Sequence, residues 1–155
     1  MNAIEYIRRT RDYYRAQGFK KDYIWAHFDE IPFSPLTQPL ADCTVTLVTT
    51  AVVEPEILKS VRAARSYAFS EVPENFCTDD LAWDKATTHT DDRQSYFPLE
   101  VLREFVSSNR IGELAPRFHF LPTEYSHNNT LDKDAPAILD ACREDKVDIA
   151  LLVPL

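Results

Sequence analysis

The sequence predicts an α/β domain, three-layered, with a mainly parallel sheet flanked by helices and incomplete on its carboxyl-terminal side. Three observations lead there. Thr44–Thr50 (TVTLVTT) is rich in β-branched residues, which favour a pleated strand. Helical apolar stripes then alternate with further strand-like runs, the order of a sheet covered by helices. Last, Val147–Val153 (VDIALLV) follows a helix and is nearly all apolar, the pattern of a central parallel strand covered on both faces.

The elements follow in order. Residues 2–17 form a helix with Ile4, Ile7 and Tyr14 on one face and Ala3, Tyr6 and Tyr13 beside them, and Gly18 is placed to end it. Residues 22–40 are irregular, because Pro32, Pro35 and Pro39 interrupt both helix and strand. Trp25, Phe28 and Phe33 supply apolar anchors there, so the segment is expected to wrap over the domain. This divides the chain into 1–40, a helix with a Pro-rich wrapping arm, and 41–155, the α/β domain truncated after its last strand.

After the first strand, Glu54–Ala64 reads as a helix through Ile57, Leu58 and Val61. Arg65–Val72 alternates as a strand and stops at Pro73. Residues 73–85 are a polar loop, and Lys85–Thr90 is a short strand. Pro98 suits the first turn of a helix with Leu99, Leu102, Phe105 and Val106 on its buried face. Arg117–Leu121 is a strand closed by Pro122, and residues 123–131 are polar and turn-rich. Asp134 is placed to cap a helix with Pro136 in its first turn and Ala135, Ile138, Leu139 and Cys142 facing inward.

Composition narrows the function classes. A net charge of -8 disfavours nucleic acid, whose phosphates call for a basic surface. No apolar run reaches about 18 residues, so no span and no membrane partner are expected. Met1–Arg15 carries arginines and no apolar core of a secretory signal, which leaves the cytoplasm. Cys43, Cys77 and Cys142 are odd in number and lack zinc or disulfide spacing, consistent with a reduced compartment. Charge is uneven: residues 1–21 hold six basic and two acidic side chains, so the remainder carries -12. A basic helix on an acidic body can dock to that body or to an acidic partner, or lie solvated.

Chemistry-bearing residues are few. There is no Walker loop, and two glycines are too few for a glycine-rich dinucleotide turn. The best polar cluster is Thr87-Thr88-His89-Thr90-Asp91-Asp92-Arg93, where His89 with Asp91 can act in proton transfer. Without diagnostic spacing for a metal, His89 with His119, His127 or Glu124 remains open as a ligand set, beside the simpler solvated loop. Thr49 and Thr50 end the first strand, the edge where α/β proteins bind ligands, and their hydroxyls can hold a carboxylate or serve turn chemistry. His119 alternates with Phe118 and Phe120 and so faces away from them, as a structural histidine would. Arg117 can clamp a carboxylate or form a surface ion pair.

The ordered set Tyr6-Ile7-Arg8-Arg9-Thr10-Arg11, Pro32 to Pro39 running into TVTLVTT, SYAFSEVP, His89-Thr90-Asp91-Asp92 with Tyr96-Phe97-Pro98-Leu99, Ile111-Gly112-Glu113-Leu114-Ala115-Pro116-Arg117, and Val147 to Pro154 resembles the glycine/sarcosine/betaine/D-proline reductase selenoprotein B family. The resemblance implies reductive C–N cleavage of a small amino acid or an N-methylated relative. A selenocysteine or cysteine, with a second cysteine close behind, would follow the last strand and attack carbon. It implies no cofactor in this chain; a pyruvoyl group would sit on a partner reductase subunit, and a thiol reductant would supply electrons.

Two departures stand out. The family has a glycine-containing loop where Ala51-Val52-Val53 follows Thr50, and none of the three cysteines lies at the redox position. The chain is therefore expected to be an amino-terminal fragment, inactive by itself, with Leu155 preceding an in-frame UGA. The alternatives are a non-catalytic domain binding a small acid or a partner subunit, and a metal-dependent lyase using His89 and His119.

Overall fold

The computed structural model describes residues 5–22, 24–54, 63–77, 89–123 and 126–155. It divides into two compact units, Met1–Phe33 and Ser34–Leu155. The expected helix 54–64 and strand 85–90 fall almost wholly outside the described residues.

In the first unit, helix α1 spans Tyr6–Ala16. Gly18 takes φ +91°, the left-handed geometry that ends a helix at little steric cost. The chain then folds back on α1. Phe19 packs edge-on against Tyr14 with ring centroids 5.6 Å apart. The Arg15 guanidinium donates twice to Asp22, at 2.7 and 2.6 Å. No residue of α1 is buried. Trp25, Phe28 and Phe33, read as anchors, are likewise exposed.

The second unit is an α/β domain around a mixed, open sheet of five strands flanked by helices. The strands are β1 (Thr44–Thr49), β2 (Arg65–Ala68), β3 (Glu113–Leu114), β4 (Arg117–Phe120) and β5 (Ile149–Val153). β1 is the centre: it pairs in parallel with β3 and β4 and with β5, while β2 runs antiparallel to β4.

β3 and β4 are one path broken by a bulge. Thr44 aligns with Glu113, but Val48 aligns with His119, so two extra residues are absorbed at Ala115–Pro116. Pro116 has no N–H to offer the ladder. The Thr46 hydroxyl compensates by donating to the Arg117 carbonyl at 2.7 Å. Gly112 begins this path because nothing larger fits. A Cβ there would stand 2.8 Å from both the Asp42 carbonyl carbon and the Cys43 oxygen.

Helix α2 (Leu99–Ser107) buries Leu99 and Leu102, as its stripe predicts, although Pro98 caps it from outside instead of opening its first turn. Its face of the sheet holds the core, in which Phe97, Phe118, Leu47 and Leu99 are all almost wholly buried. Phe97 and Phe118 meet edge-to-face at 4.9 Å, and Phe76 lies 4.9 Å from Phe97.

Four expectations need correction. Residues 127–131, expected within a polar, turn-rich stretch, are helical: a turn α3 (His127–Asn129) runs through a wider turn, Thr130–Asp134, into α4 (Ala135–Glu144). Asp134 stands at the N-cap position of α4 as expected, but its side chain makes no cap bond; its backbone is helical, and its carboxylate accepts the Ala64 N–H at 2.8 Å. On α4, Ala141 and Cys142 are buried, whereas Ala135 and Leu139 are exposed. β2 is shorter than expected, because Phe69–Glu71 coils into a 3-10 turn whose Glu71 carboxylate accepts the Ala68 N–H at 2.9 Å.

The largest correction concerns β5, expected at the buried centre. Among the described residues it pairs with β1 alone, and Ala150, Leu151 and Leu152 are exposed. Apolar sequence shows what a strand can bury, not what covers it. β1 holds the central place instead, with every residue from Val45 to Thr49 buried.

Candidate functional site

The parallel strands β1, β4 and β5 all end at one edge, where ligands of open α/β sheets bind. β1 and β5 reach it in step, their last aligned pair being Thr49 and Val153. Thr49 is buried, and its hydroxyl accepts the Ala51 N–H at 3.1 Å, which fixes the turn out of β1. Thr50 uses its hydroxyl differently. It accepts the Leu155 N–H at 2.8 Å and donates to the Leu155 carbonyl at 3.2 Å. Val52 then bridges to Cys77, whose N–H donates to the Val52 carbonyl at 2.8 Å. So this edge gathers the exits of β1 and β5 with the strip around Cys77.

His89 and Asp91 come together elsewhere, on an exposed loop. The His89 Nδ1 lies 3.5 Å from an Asp91 carboxylate oxygen, with both side chains mostly in solvent, 72% and 90% exposed. At such exposure water screens the pair. The neighbouring residues build structure. Asp92 accepts the Gln94 N–H at 3.0 Å, and the Tyr96 hydroxyl donates to the Thr90 carbonyl at 3.3 Å. Arg93 donates to the Pro73 carbonyl at 2.9 Å and to Glu100 at 2.6 Å. Thr87 and Thr88 lie outside the described residues.

A polar line running inward from β2 escaped sequence reasoning. His119, fully buried, places Nδ1 2.9 Å from the Ser66 hydroxyl on β2 and Nε2 3.6 Å from the Cys142 sulfur on α4. A neutral imidazole donates from one nitrogen and accepts at the other, so Ser66 and Cys142 take opposite roles. Burial lowers the His119 pKa, with the Arg117 charge adding to the effect. Burial likewise raises the Cys142 thiol, and the Asp145 carboxylate adds to it. Both groups are thus held neutral. A protonated, buried thiol is a poor nucleophile. The sequence signal was a histidine between two core phenylalanines, but its partners lie 53 and 23 residues away.

Arg117 resolves as a structural ion pair. It reaches Asp145 through Nε at 2.7 Å and Nη2 at 2.9 Å, and Glu144 at 3.0 Å. These carboxylates raise its pKa further above the ordinary arginine value. Its fork is occupied, so it does not serve as a free clamp for a ligand.

Among the described residues, no group of three or more His, Cys, Asp or Glu side chains is arranged to hold a metal. Both His119 nitrogens already have partners. No helix among them is long and apolar enough to cross a membrane. In the amino-terminal unit a groove of about 380 Å³ is lined by Tyr6, Arg9, Thr10, Tyr13 and Tyr14. Several of the nearby arginines are paired locally, Arg8 with Glu5 at 2.8 Å and Arg11 with Asp12 at 3.7 Å.

The fold and edge define an α/β domain of the open-sheet class. The chain matches no family model, no curated protein and no solved structure.

Proposed function

We propose that this chain is the amino-terminal part of a cytoplasmic reductase of the selenoprotein B type, cleaving the C–N bond of a small amino acid or its N-methylated relative. The observation that carries the proposal is the pairing of β1 with β5 up to Thr49 and Val153, followed by the grip of Thr50 on Leu155. It brings Leu155 to the carboxyl edge of the sheet, which supports the reading. That is where the resemblance expects the selenol or thiol.

In the proposed reaction the selenolate or thiolate attacks carbon. A C–Se or C–S bond forms, the C–N bond breaks, and the amine leaves with the bonding pair and takes a proton. A dithiol supplies the two electrons that release the reduced product and regenerate the nucleophile. A partner subunit's pyruvoyl group would activate the substrate amine. Two thiols of this chain are poor candidates for the attack: Cys142 is buried with a raised pKa, and Cys43 is buried with its sulfur 3.4 Å from the Pro39 carbonyl.

The test starts at the nucleotide sequence after Leu155. An in-frame UGA, then an open frame with a cysteine within a few codons, is expected. Expressed with its partner subunit, the extended protein should release amine from glycine, sarcosine or betaine, or open the ring of D-proline, in a dithiol-dependent reaction. Replacing the first redox residue by serine should reduce release to background. A UAA or UAG codon with no coding potential beyond it, or an extended protein lacking any redox-active thiol or selenol, defeats the proposal in favour of a binding domain.

A further inference from the structure

We propose that Ser66 is a nucleophile for acyl transfer, with His119 as its base and small neutral esters as the class it takes; the site stands apart from the reductase reading. Sheet geometry brings the two together. Ser66 on β2 stands opposite His119 on β4 in an antiparallel ladder. Where that register runs on, the Phe69 N–H donates to the Pro116 carbonyl at 3.2 Å. Phe69, Tyr67 and Arg65 therefore turn their backbone groups toward β4, while Ala68, Ser66 and Ala64 turn theirs away. The neighbours agree: the Ala68 N–H donates to Glu71 at 2.9 Å and the Ala64 N–H to Asp134 at 2.8 Å, neither on β4. Ser66 and His119 are thus a non-hydrogen-bonded pair, the kind whose side chains approach most closely, and the Ser66 Oγ lies 2.9 Å from Nδ1. β2 ends the sheet, so the Ser66 N–H points to an open edge, and it has no partner among the described residues.

Three parts of an acyl-transfer site meet at this one residue. Ser66 is exposed, while the imidazole it touches is fully buried. Burial holds that imidazole neutral, so it can accept a proton at pH 7. The open N–H is a donor beside the same Oγ, where the oxygen of an attacked carbonyl becomes an anion. In the step, Nδ1 takes the hydroxyl proton, Oγ bonds the acyl carbon, and the ester C–O bond breaks. The leaving group departs with the bonding pair and takes the proton from Nδ1. Nε2–H donates to the Cys142 sulfur, 3.6 Å away, which orients the ring. Of the charges around the ring, Arg117 on β4 opposes its protonation and Asp145 beyond α4 favours it. Glu71 and Asp134 make the edge acidic, which disfavours an anionic substrate. No water reaches His119 to be activated against the new ester, so the acyl-serine accumulates.

The experiment treats the 155-residue chain with p-nitrophenyl acetate and reads nitrophenol release together with peptide mapping of the acetyl group. Wild type is expected to give a burst, with acetyl on Ser66. Its rate should rise with pH through the lowered His119 value and stay level from about pH 7 to pH 8, because a base already neutral gains nothing more. Ser66→Ala should lose the burst, and His119→Asn should acetylate Ser66 about a hundredfold more slowly. Ser108, exposed in the same molecule, is the internal reference. Acetylation of Ser66 no faster than that of Ser108, or a Ser66 rate that climbs in proportion to hydroxide from about pH 7 to pH 8, overturns the proposal. An unchanged Ser66 rate in folded His119→Asn overturns it as well. If that variant does not fold, the wild-type pH profile and the comparison with Ser108 decide.

Discussion

His119 sits where no water reaches it, with a partner on each ring nitrogen. Charging it would cost the desolvation of an imidazolium and would force both partners to accept. Its pKa is lowered on folding, so the folded chain binds fewer protons there than the unfolded chain. The stability it contributes is fully present above the unfolded value of about 6.5 and is lost as pH falls through the lower folded value. Wild-type protein should therefore show a urea midpoint that declines from pH 7 toward pH 5. His119→Asn keeps a donor and an acceptor without titrating. It should be less stable at pH 7, by about 1–2 kcal/mol, yet show a flatter profile over that range. Parallel profiles for the two proteins would remove His119 as the titrating group. At this scale the sequence was partly legible. Alternation with Phe118 and Phe120 gave the direction of the ring, but Ser66 and Cys142 come from other elements and no local pattern announces them.

At the scale of elements, strands with long β-branched runs and helices with apolar stripes were legible, because burial period follows directly from backbone geometry. β3 was not, being two residues long and created by the bulge at Ala115–Pro116. The turn from His127 to Asp134 was not, because Asn, Thr and Asp favour caps and loops and are overridden by the tertiary bond from Asp134 to Ala64. Arg117 shows how two such elements are joined. It ties β4 to the end of α4 through Asp145, whose side chain is only 11% exposed. A bidentate, part-sheltered pair belongs at the upper end of the exposed range, so a double-mutant cycle with Arg117→Met and Asp145→Asn should give about 1 kcal/mol of coupling. Arg117→Lys, which lacks the fork, should recover less than half of it. Additive single effects would show that the two elements are held by packing alone.

For the α/β domain as a whole, β5 makes the sheet asymmetric. One side of β1 is backed by β3, β4 and β2, while β5 on the other side carries Leu152 at 67% exposure and Leu151 at 39%. Among the described residues β5 has no partner on its outer side, and backbone groups left open beside apolar side chains are the combination that lets sheets from separate molecules join. The net charge of -8 opposes association at low ionic strength, but at 0.15 M salt repulsion beyond about 8 Å is largely screened. The 155-residue chain should therefore self-associate more as salt rises, a dependence opposite to that of a contact between unlike charges. Leu152→Lys places a charge on the strand at a position that contributes little to the core, the device by which natural edge strands resist pairing. Light scattering at 0.15 M salt should show less association for Leu152→Lys than for wild type, with the urea midpoint unchanged within about 0.5 kcal/mol, as for a surface substitution. If Leu152→Lys instead lowers stability by 2 kcal/mol or more, as loss of a core contact would, Leu152 is covered in solution and β5 is an interior strand after all.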